Sequence, residues 1–298
     1  VIEGDLMALS EEKKPVKAKI PEKIMDEVSS FPSMPKAGVK LRVLLAKNDV
    51  SVEEIEGILR HDPGLATNVL RLANSAFFGL RTKVSTLKHA VTLLGIRRFS
   101  QIAVSACMSK TMDNAVEGYG LSPGALWLHS IAVSTTAEAL AKHKKLAETD
   151  DVFTPALLHD MGKLILGKFL NEESQKFESL VAEGIPLDVA ENMILGTDHA
   201  EIGALILTKW SFPSDIVDTV RWHHNPEVLK VSKLQPEIVY LANLLCQSSV
   251  DGDSVDEKLI MPSSVVLDRL GIKLSQYEKF AEKAQNWMKK LSDTLSFD

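Results

Sequence analysis

The chain has 298 residues, 45% apolar and 25% charged, an ordinary balance for a globular protein and enough for one large or two smaller domains. Its formal net charge of −6 and the lack of a long basic run argue against binding driven by neutralising nucleic-acid phosphates. No apolar run reaches the roughly 18 residues of a membrane span, and the Glu- and Lys-rich segment 1–20 lacks a signal-peptide core, so neither nucleic acid nor a membrane is an expected partner.

The two cysteines, Cys107 and Cys246, lie in apolar contexts and are expected as buried free thiols in a reducing, cytoplasmic compartment. The chain starts at Val1 rather than Met, as a fragment of a longer protein would. Residues 1–20 read as a charged, poorly ordered arm. Helices follow throughout, and no alternating strand pattern occurs.

The segment 51–60 opens with a capping box, Ser51 and Glu54. Asp62 and Pro63 supply a cap and first turn for the next helix, whose Leu65, Val69, Leu72 and Ala73 keep helical spacing. Residues 86–94 form a third, closed by Gly95. Further helices are expected over 126–143, 155–169, 186–195, 200–210, 213–223, 236–247 and 274–295, several beginning near a proline. A Gly- and Pro-containing stretch, 112–123, divides a first helical half (21–115) from a second (123–247). A polar acidic stretch near 248–258 leads to a C-terminal helical tail (259–298).

The second half carries an ordered series of metal-capable residues: His129, the pair His159-Asp160, His199 and the pair His223-His224. Five of the eight histidines fall in it. Imidazole and carboxylate on apolar helices are costly to bury without partners, and a shared cation satisfies several at once. Nitrogen and oxygen donors without thiolate suit iron or manganese first, with zinc, nickel or cobalt as alternatives. Six ligands exceed one tetrahedral site. They fit one octahedral ion, or two ions bridged by Asp160. Lys163, on the face of His159 and Asp160, can pair with a phosphate oxygen, and Gly162 is expected to keep that face open. Any catalysis would rest on Asp160 and Lys163. Glu201 is a candidate to orient His199.

Blander readings stand beside these. His129 alone reads as a hydrogen-bonded structural histidine, and the pair His223-His224 as a helix end. A second His-Asp pair, His61-Asp62, is explained by capping, and His89 and His143 look superficial.

The series, with LLHDMGK at 157–163, DHAEIGA at 198–204 and WHHNPE at 222–227, resembles the HD superfamily and its HD-GYP phosphodiesterase branch. FPSMPKAGVKL at 31–41, LRHDPGLATNVLRLANSAFFG at 59–79 and STLKHAVTLLGIRRF at 85–99 are similar to the HD-related output domain family, HDOD. The resemblance covers roughly residues 23–245. It implies an all-α fold and a bacterial signalling role as a regulatory output domain, bound to a signalling protein or to a small phosphorylated or nucleotide ligand. A metal-dependent phosphohydrolase is the alternative. It also implies a further ligand position in YLANLL (240–245), where Asn243 stands in place of the usual Asp. No Gly-Tyr-Pro loop follows His224, which disfavours cyclic-dinucleotide hydrolysis. The segment Asn74-Ser75-Ala76-Phe77-Phe78-Gly79 is expected to pack the first half.

Overall fold

The computed structural model describes residues 20–45, 50–75, 80, 82–143, 152–229, 233–247 and 260–295. Among them the fold is all-α. The first half comprises α1 (Glu22–Ser30), α2 (Lys36–Leu45), α3 (Val52–Leu59), α4 (Pro63–Ala73), α5 (Leu87–Leu94) and α6 (Ile96–Met112). After them come α7 (Ala125–His143), α8 (Phe153–Leu158), α9 (Lys163–Glu172), α10 (Ser174–Ala182), α11 (Leu187–Leu195), α12 (His199–Lys209), α13 (Ser214–Arg221), α14 (Leu234–Gln247), α15 (Ser264–Leu270) and α16 (Leu274–Leu295). The arm expected over 1–20 lies almost wholly outside the described residues, as do Ala76 to Gly79.

Local chemistry sets many boundaries. Ser51 and Glu54 form the reciprocal capping box of α3, and Asp62 accepts from the Leu65 N–H at the start of α4. Thr86 caps α5, which ends at Gly95 with φ of 78°. Asn74 uses both ends of its amide on Val84, at 2.7 Å each, and so closes the loop after α4.

Five helices escape the sequence reading: α1, α2, α6, α10 and α15. The longest, α6, has no polar face to betray its period, because every residue from Phe99 to Ser109 is buried. Its hydroxyls bond back to their own helix: Ser100 to the Ile96 carbonyl at 2.7 Å, and Ser105 to that of Gln101 at 2.9 Å. The first half therefore contains a long central helix, not only short ones.

One apolar cluster runs from Ile24 to Ala284, with α7 packed against α6, α8, α14 and α16. α1 reaches across to α9 and α12. There the Lys209 ammonium donates to the carbonyls of Val28 and Phe31, and the Trp210 indole N–H donates to Pro32. Between α6 and α7, Arg98 pairs with the buried Glu138, which also accepts from Gln101. The 112–123 stretch is mostly exposed but is anchored by the buried Met112, Val116 and Gly118. Its 3-10 turn, Glu117–Tyr119, lies against α9 so closely that a Cβ on Gly118 would stand 2.2 Å from the Gly167 carbonyl oxygen.

Candidate metal centre

The expected helix over 155–169 is two helices. Through His159, Asp160, Met161 and Gly162 the backbone tightens to i→i+3 bonds: Met161 N–H to the Leu158 carbonyl, Lys163 N–H to that of Asp160 and Leu164 N–H to that of Met161. The turn points both His159 and Asp160 inward, each fully buried. Gly162 does not keep a face open. A Cβ there would stand 2.0 Å from the His199 carbonyl oxygen and 2.8 Å from the Gly203 nitrogen. Glycine lets the start of α9 lie directly on α12, which brings Asp160 to His199.

Four segments deliver the donors: α7 brings His129, the α8–α9 turn His159 and Asp160, α12 His199, and the bend after α13 His223 and His224. The Asp160 carboxylate lies among them. Its Oδ1 is 3.2 Å from His199 Nε2 and 4.0 Å from His223 Nε2. Its Oδ2 is 3.4 Å from His159 Nε2 and 3.6 Å from His129 Nε2. Two groups have ligand atoms all within 4.8 Å of one another, His199 with His223 and His224, and His129 with His159 and Asp160.

The rings are oriented by their outer nitrogens. His159 Nδ1 lies 2.7 Å from the Ala156 carbonyl, and His223 Nδ1 lies 2.7 Å from that of Val220. A carbonyl only accepts, so both Nδ1 atoms carry the proton and both Nε2 atoms turn a lone pair inward. His159 Nε2, His223 Nε2 and Asp160 Oδ1 are buried without a hydrogen-bond partner. Two imidazole lone pairs and a carboxylate oxygen with nothing to accept from suit a cation, so the residues present fit a divalent metal.

His199 is held by Glu191, which the sequence reading missed. This carboxylate is fully buried on α11, with oxygens 2.7 and 2.8 Å from His199 Nδ1, and it accepts from the Tyr119 hydroxyl at 2.8 Å. The signal was available: Leu187, Ala190, Ile194 and Leu195 mark one face of α11, and Glu191 is an acid on that same face. Glu201, the candidate for this task, pairs instead with Arg221 at 3.1 Å.

Lys163 and Asn243 are both buried. The Lys163 ammonium donates to Asp160 Oδ2 at 2.7 Å, and the Asn243 amide oxygen lies 3.0 Å from His129 Nε2.

Charge follows this arrangement. Burial would raise the Asp160 carboxyl, but His159, Lys163 and His199 beside it hold it well below the usual carboxylate range. Burial lowers His129 to about 3 and pushes down His159, His223 and His224, where neighbouring rings add to the effect. Burial also opposes charge on His199, yet the Glu191 carboxylate, with that of Asp160 beside it, raises it to about 10. Without metal, His199 Nε2–H then faces His224 Nε2 at 2.8 Å and occupies a ligand direction with a proton.

Comparison with known proteins agrees with this architecture. An uncharacterized protein of Treponema pallidum (strain Nichols) is 26% identical over 244 residues, spanning 81% of this chain but only 47% of the relative. The chain thus spans about half the length of the curated relative it matches. A solved HDOD domain protein of unknown function from Geobacter sulfurreducens superposes with a TM-score of 0.76 at 24% identity, over 92% of this chain and 97% of that one. A crystallised candidate phosphohydrolase from Shewanella amazonensis SB2B gives 0.71 at 25% identity, over 92% and 98%. The family model described as HDOD domain matches residues 31–226, from just after α1 through every histidine of the cluster. The chain belongs to the HDOD domain family.

Proposed function

We propose that this chain is a regulatory output domain of a signalling system. Its His/Asp cluster binds a divalent metal, and it acts by engaging a signalling protein or a small phosphorylated ligand. The ligands are His129, His159, Asp160, His199, His223 and His224, with Asn243 beside His129. The domain halves are residues 21–115 and 123–247, followed by the 259–298 tail, of which α15 and α16 pack on the second half. The observation that carries this reading is the set of orphaned acceptors, His159 Nε2, His223 Nε2 and Asp160 Oδ1, converging from separate segments. A cation held there ties the α8–α9 turn, α12 and the bend after α13 together, so metal occupancy becomes a conformational input. Iron or manganese fits the donor set best.

The two ligand groups are unequally prepared. His199 and His223 of the first group face Asp160 Oδ1, whereas in the other group Lys163 occupies Asp160 Oδ2 and Asn243 occupies His129. One ion is therefore bound firmly and a second weakly. This favours regulation over hydrolysis, because Asp160 is the single carboxylate ligand and shares its charge with Lys163.

A phosphohydrolase is the second reading, favoured by the position of Asp160 between both groups. A bound metal pair would supply an activated water and charge stabilisation. In that reading Asp160 would help hold the metal, and Lys163, once released from Asp160, would neutralise a phosphate oxygen.

Elemental analysis of protein purified without chelator or His-tag, with melting curves before and after metal removal, tests the proposal. A phosphate-ester screen on the loaded protein separates the two readings. Stoichiometric metal, a lower melting temperature after removal and no turnover are expected. Robust hydrolysis abolished by Asp160→Ala would replace the regulatory reading with the enzymatic one.

A further inference from the structure

A cavity of 360 Å³ lies in the first helical half, remote in sequence from the metal ligands. Its lining combines Lys36, Lys40, His61, Asp62 and Lys110 with apolar residues that include Ile58 and Leu65. This volume lies in the range of small-molecule sites, which combine apolar walls with a few convergent polar groups.

Lys36, Lys40, His61 and Lys110 are all exposed to solvent here. The chain as a whole carries −6, yet three lysines converge on one cavity. Among the described residues none of the three has an ion-pair partner. The one lining carboxylate, Asp62, accepts from the Leu65 N–H at 3.0 Å and offsets one of the three lysine charges. Lys36 opens α2, whose first turn holds no acidic residue, so the positive end of that helix adds to the field. A Cβ on Gly64 would stand 3.4 Å from Asp62 Oδ1 and 3.9 Å from Lys110 Nζ.

We propose that this cavity binds a small phosphorylated molecule with an apolar or aromatic part, of the nucleoside monophosphate class. Lys36, Lys40 and Lys110 take the phosphate, and the apolar lining residues, Ile58 among them, take the ring. The site names a ligand class for the regulatory reading above and rests on that reading for its biological consequence, while the binding itself is independent of metal.

The test is titration calorimetry on chelator-treated protein with adenosine 5′-monophosphate and with inorganic phosphate. The nucleotide should bind at least tenfold more tightly than phosphate. Lys110→Gln should weaken it at least tenfold, and Lys88→Gln, on α5, should leave it unchanged. Gly64→Glu puts an acid in the first turn of α4, where it favours the helix, and against Lys110; it should fold and lose binding. Lys110→Gln should also keep its metal content, which separates failure at this cavity from failure of the metal reading. No binding of the nucleotide, equal affinity for phosphate alone, or binding indifferent to both variants would overturn the proposal.

Discussion

Glu191 places both carboxylate oxygens within 2.8 Å of His199 Nδ1, and no other residue decides the charge of the cluster so directly. It orients the ring toward Asp160 and, in the absence of metal, stabilises a proton on Nε2. Glu191→Gln should weaken metal binding by about 10–100-fold, the usual cost of losing such a support. Metal titration followed by equilibrium dialysis measures it. Unchanged affinity would remove Glu191 from the site.

Metal binding should release a proton. His199 rises to about 10 in the metal-free protein, so it is charged at neutral pH and must lose Nε2–H to ligate. Affinity should therefore climb as pH rises from 6 toward 10. Calorimetry in buffers of different ionisation heat counts the proton directly, and a count of zero at pH 7.5 would show His199 already neutral.

The metal-free protein should lose stability in acid. His129 is lowered to about 3, and His159, His223 and His224 are lowered too, against an unfolded value near 6.5. These rings contribute stability present above about pH 6.5 and lost as pH falls toward their folded values. His199 runs the other way: its contribution is present below about pH 6.5 and lost as pH rises through about 10. Four rings against one make the acid limb the steeper, a difference that denaturant midpoints from pH 4 to 9 with chelator present would reveal.

Asp160→Ala should abolish metal retention and leave the Lys163 ammonium buried without its carboxylate, costing about 3–5 kcal/mol. The double variant Asp160→Ala/Lys163→Met should recover part of that stability and none of the metal. Full metal content in the single variant would refute the role of Asp160.

Asn243→Asp should raise metal occupancy, since it places a charged oxygen where the amide oxygen now meets His129 Nε2 at 3.0 Å. Any gain in phosphate-ester turnover should track that occupancy. Elemental analysis and the phosphatase screen report both, and lower metal content in the variant would contradict the assignment of Asn243 to the site.

Composition, caps and periodicity by themselves determined the all-α class, the starts of α3, α4 and α5, and the order of the metal-capable residues, because each depends on neighbours close in the chain. The buried state of Cys107 and Cys246 was also legible from their apolar surroundings. Tertiary structure decided the rest. α6 has no exposed face, so only its packing reveals it. The break between α8 and α9 depends on Gly162 meeting α12, a backbone approach that no local pattern encodes. Glu191 rather than Glu201 supports His199 because α11 delivers its carboxylate across space, whereas Glu201 turns from the ring toward Arg221. Lys163, expected to be able to pair with a phosphate oxygen, lies 2.7 Å from Asp160 Oδ2, since an ammonium buried at that depth takes the nearest carboxylate.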